Sequence, residues 1–250
     1  MLLKTLDDWC RLSGEDLLTF SHSYLKNAHF ILDVGTGTGF PAFSIIKDYN
    51  ATVYAIDPWK EGIETAKKIA LENGIKSVFF IKQRIESHDF KPRYFDLIIS
   101  NLGLSHVQNL EKAIFECHRL LKPNGILLFN FHIAAIFKDF FDEFNAFLTK
   151  ENDANALVKL AAHRAHYSNF ENNIEEICIK NGFKLVETLT KTHELDFSEV
   201  EYFYDHQAIK EIFLPIWLDI AGETAFYNWA KDITIKNFDV NVTAMAMVKN

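Results

Sequence analysis

The 250-residue chain lacks paired cysteines, basic tracts and long apolar runs. Its three cysteines, Cys10, Cys117 and Cys178, lie far apart, with no CxxC pair and no Cys/His ligand spacing. A zinc ribbon and a disulfide framework are therefore not expected, and neither is any other metal site. The formal net charge is -8 and the pI about 5.7. Without a dense Lys/Arg tract, such a chain is a poor electrostatic match for a polyphosphate, which makes nucleic acid an unfavourable substrate. The opening MLLKTLDDWC reaches Asp7 and Asp8 before a signal-like stretch can develop, and no run approaches membrane-spanning length. The expectation is a cytoplasmic protein of a reducing compartment. Repeats, low-complexity tracts and Pro/Gly/Ser-rich linkers are also missing.

What is present is alternation. With 48% hydrophobic residues the chain can bury a large core, as one domain spanning 1–250 or one domain with an inserted cap. The runs FILDV (30–34), TVYAI (52–56), VFFI (78–81), FDLIIS (95–100) and GILLFNF (125–131) read as buried strands. Between most of them the spacing is helical, most clearly in 110–121, LEKAIFECHRLL, where Leu110, Ala113, Ile114, Cys117, Leu120 and Leu121 share one face before Lys122-Pro123-Asn124-Gly125 stops it. Segment 60–73 and a helix beginning near Pro41 complete the pattern. This predicts an α/β fold, doubly wound around a mostly parallel sheet. Further on come a Phe-striped helix over 133–150, a polar stretch, a helix near 170–181, and a strand at 183–190. Ser198-Glu199-Val200-Glu201 has capping-box spacing and opens an aromatic segment to about 236. The chain closes with an alternating strand, VTAMAMV (242–248).

The turn after the first strand reads Asp33-Val34-Gly35-Thr36-Gly37-Thr38-Gly39. Ligands of such sheets bind at the carboxyl ends of the strands, and glycines there let the backbone come close to them. A dinucleotide prefers GxGxxG, but the residue that would complete it here is Phe40. Asp33 would repel a pyrophosphate and attract a cation. Asp57, after the second strand, suits the two hydroxyls of a ribose in either kind of ligand. Asp33 and the glycine spacing therefore favour an adenosyl ligand with a positive amino acid end over NAD.

The motifs DVGTGTG, AIDPW, FDLIISNLGLSHV and RLLKPNGILLF, in this order over about residues 29–132, resemble the class I S-adenosylmethionine-dependent methyltransferases. The likeness is strongest to the small-molecule branch with ubiquinone/menaquinone and malonyl-acyl-carrier methyltransferases. It implies a Rossmann-like, seven-stranded sheet with an antiparallel last strand and helical lid insertions. The cofactor would be S-adenosyl-L-methionine and the product S-adenosyl-L-homocysteine. By the same resemblance Asp33, Gly35, Thr36, Gly37 and Gly39 would line the methionine end and Asp57 would hold the ribose. Pro58 and Trp59 would flank the adenine, Arg84, Ile85 and Glu86 would meet its edge, and Asn101 and Leu102 would pass the sulfonium. The sequence departs from the pattern at Arg84, where the family often has an acid, and at Ser105, which replaces the first of two histidines and leaves His106.

The expected organisation is an N-terminal helical segment (1–28, with a helix around Glu15–Lys26), a cofactor-binding core (29–132), and helical caps over a substrate at 133–172 and 199–236. A helical Phe stripe serves equally as core or as a homodimer face. Methyl transfer needs alignment and, for some acceptors, a base. His106 is the residue placed for that role, with His163, His166 and Tyr167, and Tyr202, Tyr204 and His206, as clusters of second rank. The segment Ser100-Asn101-Leu102-Gly103 lacks the Asn/Asp-Pro-Pro-Tyr/Phe that holds a planar amino group, which favours an oxygen or carbon acceptor on a small, partly apolar molecule, or an amine held differently. The competing functions are an NAD-dependent oxidoreductase and a non-catalytic cofactor-binding interaction protein.

Overall fold

The computed structural model describes residues 6–134, 136–196, 200–205, 209–233 and 237–250. Each short apolar run forms a strand: β1 Phe30–Val34, β2 Thr52–Ile56, β3 Val78–Ile81, β4 Phe95–Asn101 and β5 Leu121–His132. With β6 Phe183–Asp196 and β7 Asn237–Lys249 they make one seven-stranded sheet, in the order β3-β2-β1-β4-β5-β7-β6. β1 pairs parallel with β2 and β4, β2 with β3, and β4 with β5. β7 runs the other way. Its Lys249 Nζ donates to Leu121 O, while at the far end Ile133 N donates to Asn241 O. Against β6, Thr188 Oγ1 donates to Ala244 O and Thr190 meets Thr243. The antiparallel last strand is thus as expected.

Helices α1 Leu6–Phe20 and α2 His22–Leu25 precede the sheet, and α3 Ala42–Asp48, α4 Lys60–Glu72 and α5 Leu110–Leu120 follow the sequence pattern. α4 buries Ile63, Ala66 and Ala70 and ends at Asn73-Gly74, where Gly74 takes φ +65°. α5 is capped at both ends. Asn109 accepts from Lys112 N at 2.9 Å, and Glu86 Oε1 accepts from Gln108 N at 2.8 Å. At the other end the Lys249 ammonium donates to His118 O at 2.6 Å, a cation placed at the negative end of the helix.

The chain divides into two compact units. One comprises Cys10–Phe131, Asn172–Thr190 and Thr243–Asn250. Its core joins Leu17 and Leu25 to Ile31, Val53, Ala55, Ile63, Ala66, Leu97 and Ile99. Here one link departs from strand–helix alternation: residues 82–94, between β3 and β4, contain no helix. Phe90 and Tyr94 instead pack edge-on against Tyr54, whose hydroxyl meets that of Tyr94 at 3.0 Å.

The other unit comprises Met1–Trp9, His132–Glu171 and Lys191–Val242. It contains α6 Lys138–Lys150, α8 Leu214–Ala221 and α9 Glu223–Ala230. The Phe stripe of α6 is its core. Phe140, Phe141, Phe144 and Leu148 are buried; the Phe140 ring lies 4.2 Å from that of Trp217, and Phe144 stacks on Trp229 at 4.9 Å. Of the uses open to a helical Phe stripe, these rings take the commonest.

Several boundaries differ from the sequence reading. α7, Ala154–Lys180, is one 27-residue helix where a polar stretch and a short helix were expected. Asp153 Oδ1 accepts from Ala156 N at 2.9 Å to start it, and no Gly or Pro interrupts it. Its buried residues Ala156, Leu160, Phe170, Ile174 and Cys178 fall at helical spacing, but exposed apolar Val158 and Ile179 obscure the stripe in the sequence. α1 begins at Leu6 rather than around Glu15, and β6 and β7 are longer than their apolar runs. Ser198 and Glu199, and with them the capping box, lie outside the described residues.

Candidate active site

Parallel pairing puts the carboxyl ends of β3, β2, β1 and β4 side by side, and with them the residues singled out in the sequence. Asp33 is level with Ala55 of β2 and Ile99 of β4. The turn that follows is held by backbone bonds, Gly35 N and Thr36 N both donating to Ile56 O. Gly35, Gly37 and Gly39 take φ of +78°, +55° and +108°, a region in which other residues are strained. A Cβ on Gly35 would come within 2.7 Å of the Gly103 backbone, so the turn after β1 touches the turn after β4 with no side chain between them. At Gly37 the same Cβ would meet nothing within 4 Å. That leaves open space beside a bare backbone.

Asp57 joins the two halves of this edge. Its Oδ2 accepts from Gly37 N at 2.9 Å and its Oδ1 from Trp59 N at 2.8 Å. A carboxylate has about four acceptor positions, so both oxygens keep a lone pair for another donor. Trp59 is half exposed, and its ring lies on Gly62, where a Cβ would be 2.4 Å from the indole and 2.9 Å from Gly37 O. Gly62 is thus what allows this ring to lie beside the glycine turn.

Asp33 is fully buried, and neither carboxylate oxygen has a hydrogen-bond partner; the Thr36 hydroxyl is likewise buried without one. Burial pushes the Asp33 carboxyl up to about 7. The charge of Asp57 adds to this, while the nearby Thr36 hydroxyl and Ala42 amide oppose it. An unpartnered buried acid is costly to a fold and is best explained by a ligand that supplies the donor. Two carboxylates flanking the turn fit a cationic, hydroxyl-bearing ligand and repel a pyrophosphate.

At the end of β4, Asn101 is buried and Leu102 takes the left-handed conformation, φ +60°. Ser100 Oγ donates to Val34 O at 2.8 Å and accepts from Leu104 N at 3.0 Å, which ties this turn to β1. His106 ends the 3₁₀ turn Gly103–His106 and is exposed. Beyond β3, Arg84 and Ser87 form a tight bridge around buried Ile85, and Glu86 reaches the amides before α5. Pro58 is exposed. Among the second-rank residues, His163 and His166 flank Tyr167 on α7, and Tyr202 stacks on Tyr204; His206 lies outside the described residues. No group of His, Cys, Asp or Glu among the described residues is arranged to hold a metal.

Residues 32–129 match the family model described as a methyltransferase domain. Over those residues the chain is similar to a methyltransferase domain. It is 33% identical over 122 residues to an uncharacterized methyltransferase, YcgJ, of Bacillus subtilis, covering 48% of each chain. It is 36% identical over 101 residues to a ubiquinone biosynthesis O-methyltransferase of Klebsiella pneumoniae, covering 40% of this chain and 41% of that one. The chain thus spans less than half the length of these curated relatives. The fold matches a solved phosphoethanolamine N-methyltransferase 2 of Haemonchus contortus, which holds S-adenosylhomocysteine, with a TM-score of 0.60 at 16% identity, over 98% of this chain and 56% of that one.

The same edge of the sheet also depends on residues to which the sequence pattern assigned no role. Ser13 and Gly14 of α1, Gly62, Gly103 and Asn130 all support the same strand ends. Asn130 could have been noticed as an amide inside the apolar run GILLFNF. Gly103 stands directly after the Leu102 that the resemblance named. The contact of Ser13 depends on tertiary proximity and leaves no local signal, whereas Gly62 stands three residues after the Trp59 whose ring it admits.

Proposed function

We propose that the chain is an S-adenosyl-L-methionine-dependent methyltransferase that methylates an oxygen, carbon or nitrogen of a small, partly apolar molecule. The observation that carries this reading is the Asp33 carboxylate, buried without a donor beside a glycine turn whose Gly37 amide is bonded to Asp57. The residues present fit the cofactor: Asp33 and Thr36 would face its ammonium end, Gly35, Gly37 and Gly39 would admit its methionine portion, and Asp57 would take both ribose hydroxyls. Pro58 and Trp59 would flank the adenine, Arg84, Ile85 and Glu86 would border it, and Asn101 and Leu102 would run past the sulfur. The bound cofactor supplies a methyl group already activated for in-line displacement.

The chain's own work is then to align the acceptor and remove its proton. His106, exposed on the turn after β4, is the base in this reading. Substrate choice is assigned to segments 133–172 and 199–236, apart from the buried Phe stripe of α6, which is core. The absence of a Pro-Pro-Tyr/Phe sequence after Asn101 supports oxygen or carbon as acceptor, and the Klebsiella relative's O-methyltransferase name supports oxygen.

Calorimetry with S-adenosylhomocysteine and, separately, NADH tests the cofactor. Uptake of the first and not the second is expected, and the reverse would overturn the assignment. Transfer of a labelled methyl group to a small molecule in cell extract tests catalysis; binding without transfer would leave only an interaction protein.

A further inference from the structure

Asn130 is 1% exposed, on the strand next to β4, and its carboxamide bonds to the candidate site's supports. Its Oδ1 accepts from Leu102 N at 2.7 Å. Its Nδ2 donates to Ser13 O at 2.9 Å and to Asn101 Oδ1 at 2.9 Å. Ser13 Oγ donates to the same Asn101 oxygen at 3.2 Å. Two of these partners are backbone groups with fixed roles, an N–H at Leu102 and a carbonyl at Ser13. They leave Asn130 a single orientation. That orientation in turn dictates Asn101: the atom facing Asn130 must be its oxygen, so its Nδ2 is on the side of Gly14, where a Cβ would approach it to 3.1 Å. One side chain therefore sets the amide of Asn101 and the backbone of Leu102, and links both to α1. Leu102 needs such support, because in the left-handed region its Cβ crowds the following carbonyl.

We propose that Asn130 is a positioning residue of the cofactor edge: by bridging α1 and the turn after β4, it holds Leu102 left-handed and fixes the orientation of Asn101 where the cofactor passes. This rests on the reading of that edge as an S-adenosylmethionine site. It adds a residue that touches no ligand but governs two that do. The alternative is that Asn130 merely satisfies buried polar groups and stabilises the fold. The two roles differ in one respect: positioning through a left-handed backbone is relieved by glycine, which adopts that conformation without strain.

The test measures S-adenosylhomocysteine affinity by calorimetry, well below each variant's melting temperature, for wild type, Asn130→Ala, Leu102→Gly and the double variant. Asn130→Ala is expected to bind at least tenfold more weakly. Against a Leu102→Gly background, the same substitution is expected to cost threefold or less. Asn130→Ala binding within twofold of wild type, or equal losses in both backgrounds, would overturn the proposal whatever the melting temperatures. If Asn130→Ala does not fold, Ser13→Ala takes its place: it deletes only the second donor to Asn101, and a two- to fivefold loss of affinity with an unchanged fold is expected, no loss counting against the proposal. Wild-type protein that takes up no S-adenosylhomocysteine would overturn the cofactor reading itself. That result is distinct from intact wild-type binding with an indifferent Asn130.

Discussion

Replacing Asp33 by Asn should make the protein more stable and worse at binding. The carboxyl is fully buried and pushed from 3.8 up to about 7. The folded chain therefore keeps a proton that the unfolded chain has released, and stability falls as pH rises from about 4 to about 7, then levels off. That gap corresponds to roughly 4 kcal/mol lost by pH 8. Asn has the same shape and no charge to desolvate. Allowing for relaxation around the acid, Asp33→Asn should gain about 2–3 kcal/mol at pH 8, which for a chain of this size is roughly 4–12 °C in melting temperature. At pH 5 most of the wild-type penalty is gone, and the gain should shrink below about 2 kcal/mol. Affinity should move the other way. A charge-assisted hydrogen bond contributes about 1.5–3 kcal/mol, so S-adenosylhomocysteine should bind about 10- to 100-fold more weakly to the variant. Wild-type affinity should itself be about tenfold weaker at pH 6 than at pH 8, with a proton released on binding at the lower pH. Thermal denaturation at the two pH values and calorimetry in buffers of different ionisation enthalpy measure all of this. A variant no more stable than wild type at pH 8, or one that binds as tightly, would refute the account of Asp33.

Gly103→Ala places a Cβ 2.5 Å from Val34 O and 2.9 Å from the Gly35 backbone; it should cost about 1–3 kcal/mol and weaken S-adenosylhomocysteine binding at least tenfold, as read by denaturation and calorimetry. Glu86→Ala removes the acceptor for the Gln108 and Asn109 amides and should cost about 1 kcal/mol in urea denaturation, whereas Glu86→Gln should retain most of it. Trp217 is wholly buried and its indole N–H has no hydrogen-bond partner to lose. Trp217→Phe should therefore cost under about 2 kcal/mol, against about 3–5 for Trp217→Ala, and equal costs would show that the N–H contributes more than this contact pattern allows.

The sheet was legible because its strands are short, apolar and separated by helices with a buried face; Ile31, Val53 and Leu97 are core residues on sequence pattern alone. Asp33, the glycines and Asp57 were legible because a turn after a parallel strand can be located without coordinates. α7 was not: its buried residues Ala156, Leu160, Phe170, Ile174 and Cys178 recur at helical spacing, but exposed Val158 and Ile179 and the half-buried polar His163 and Tyr167 blur the stripe. The support at Ser13 and Asn130 was not legible either: these residues are 117 positions apart and meet only once the sheet has formed. The Phe stripe of α6 was visible as a stripe, but its partners, Trp217 and Trp229, are what assign it to a core.

The backbone contact between Gly35 and Gly103 bears on how such a protein can diversify. With no side chain as a cushion, the loop after β4 cannot be lengthened or redirected near its root without disturbing the glycine turn next to it. If the proposed methyl transfer holds, variation that suits a new acceptor is confined to positions beyond Ser105, and a designer seeking altered specificity would begin there and leave residues 100–105 alone.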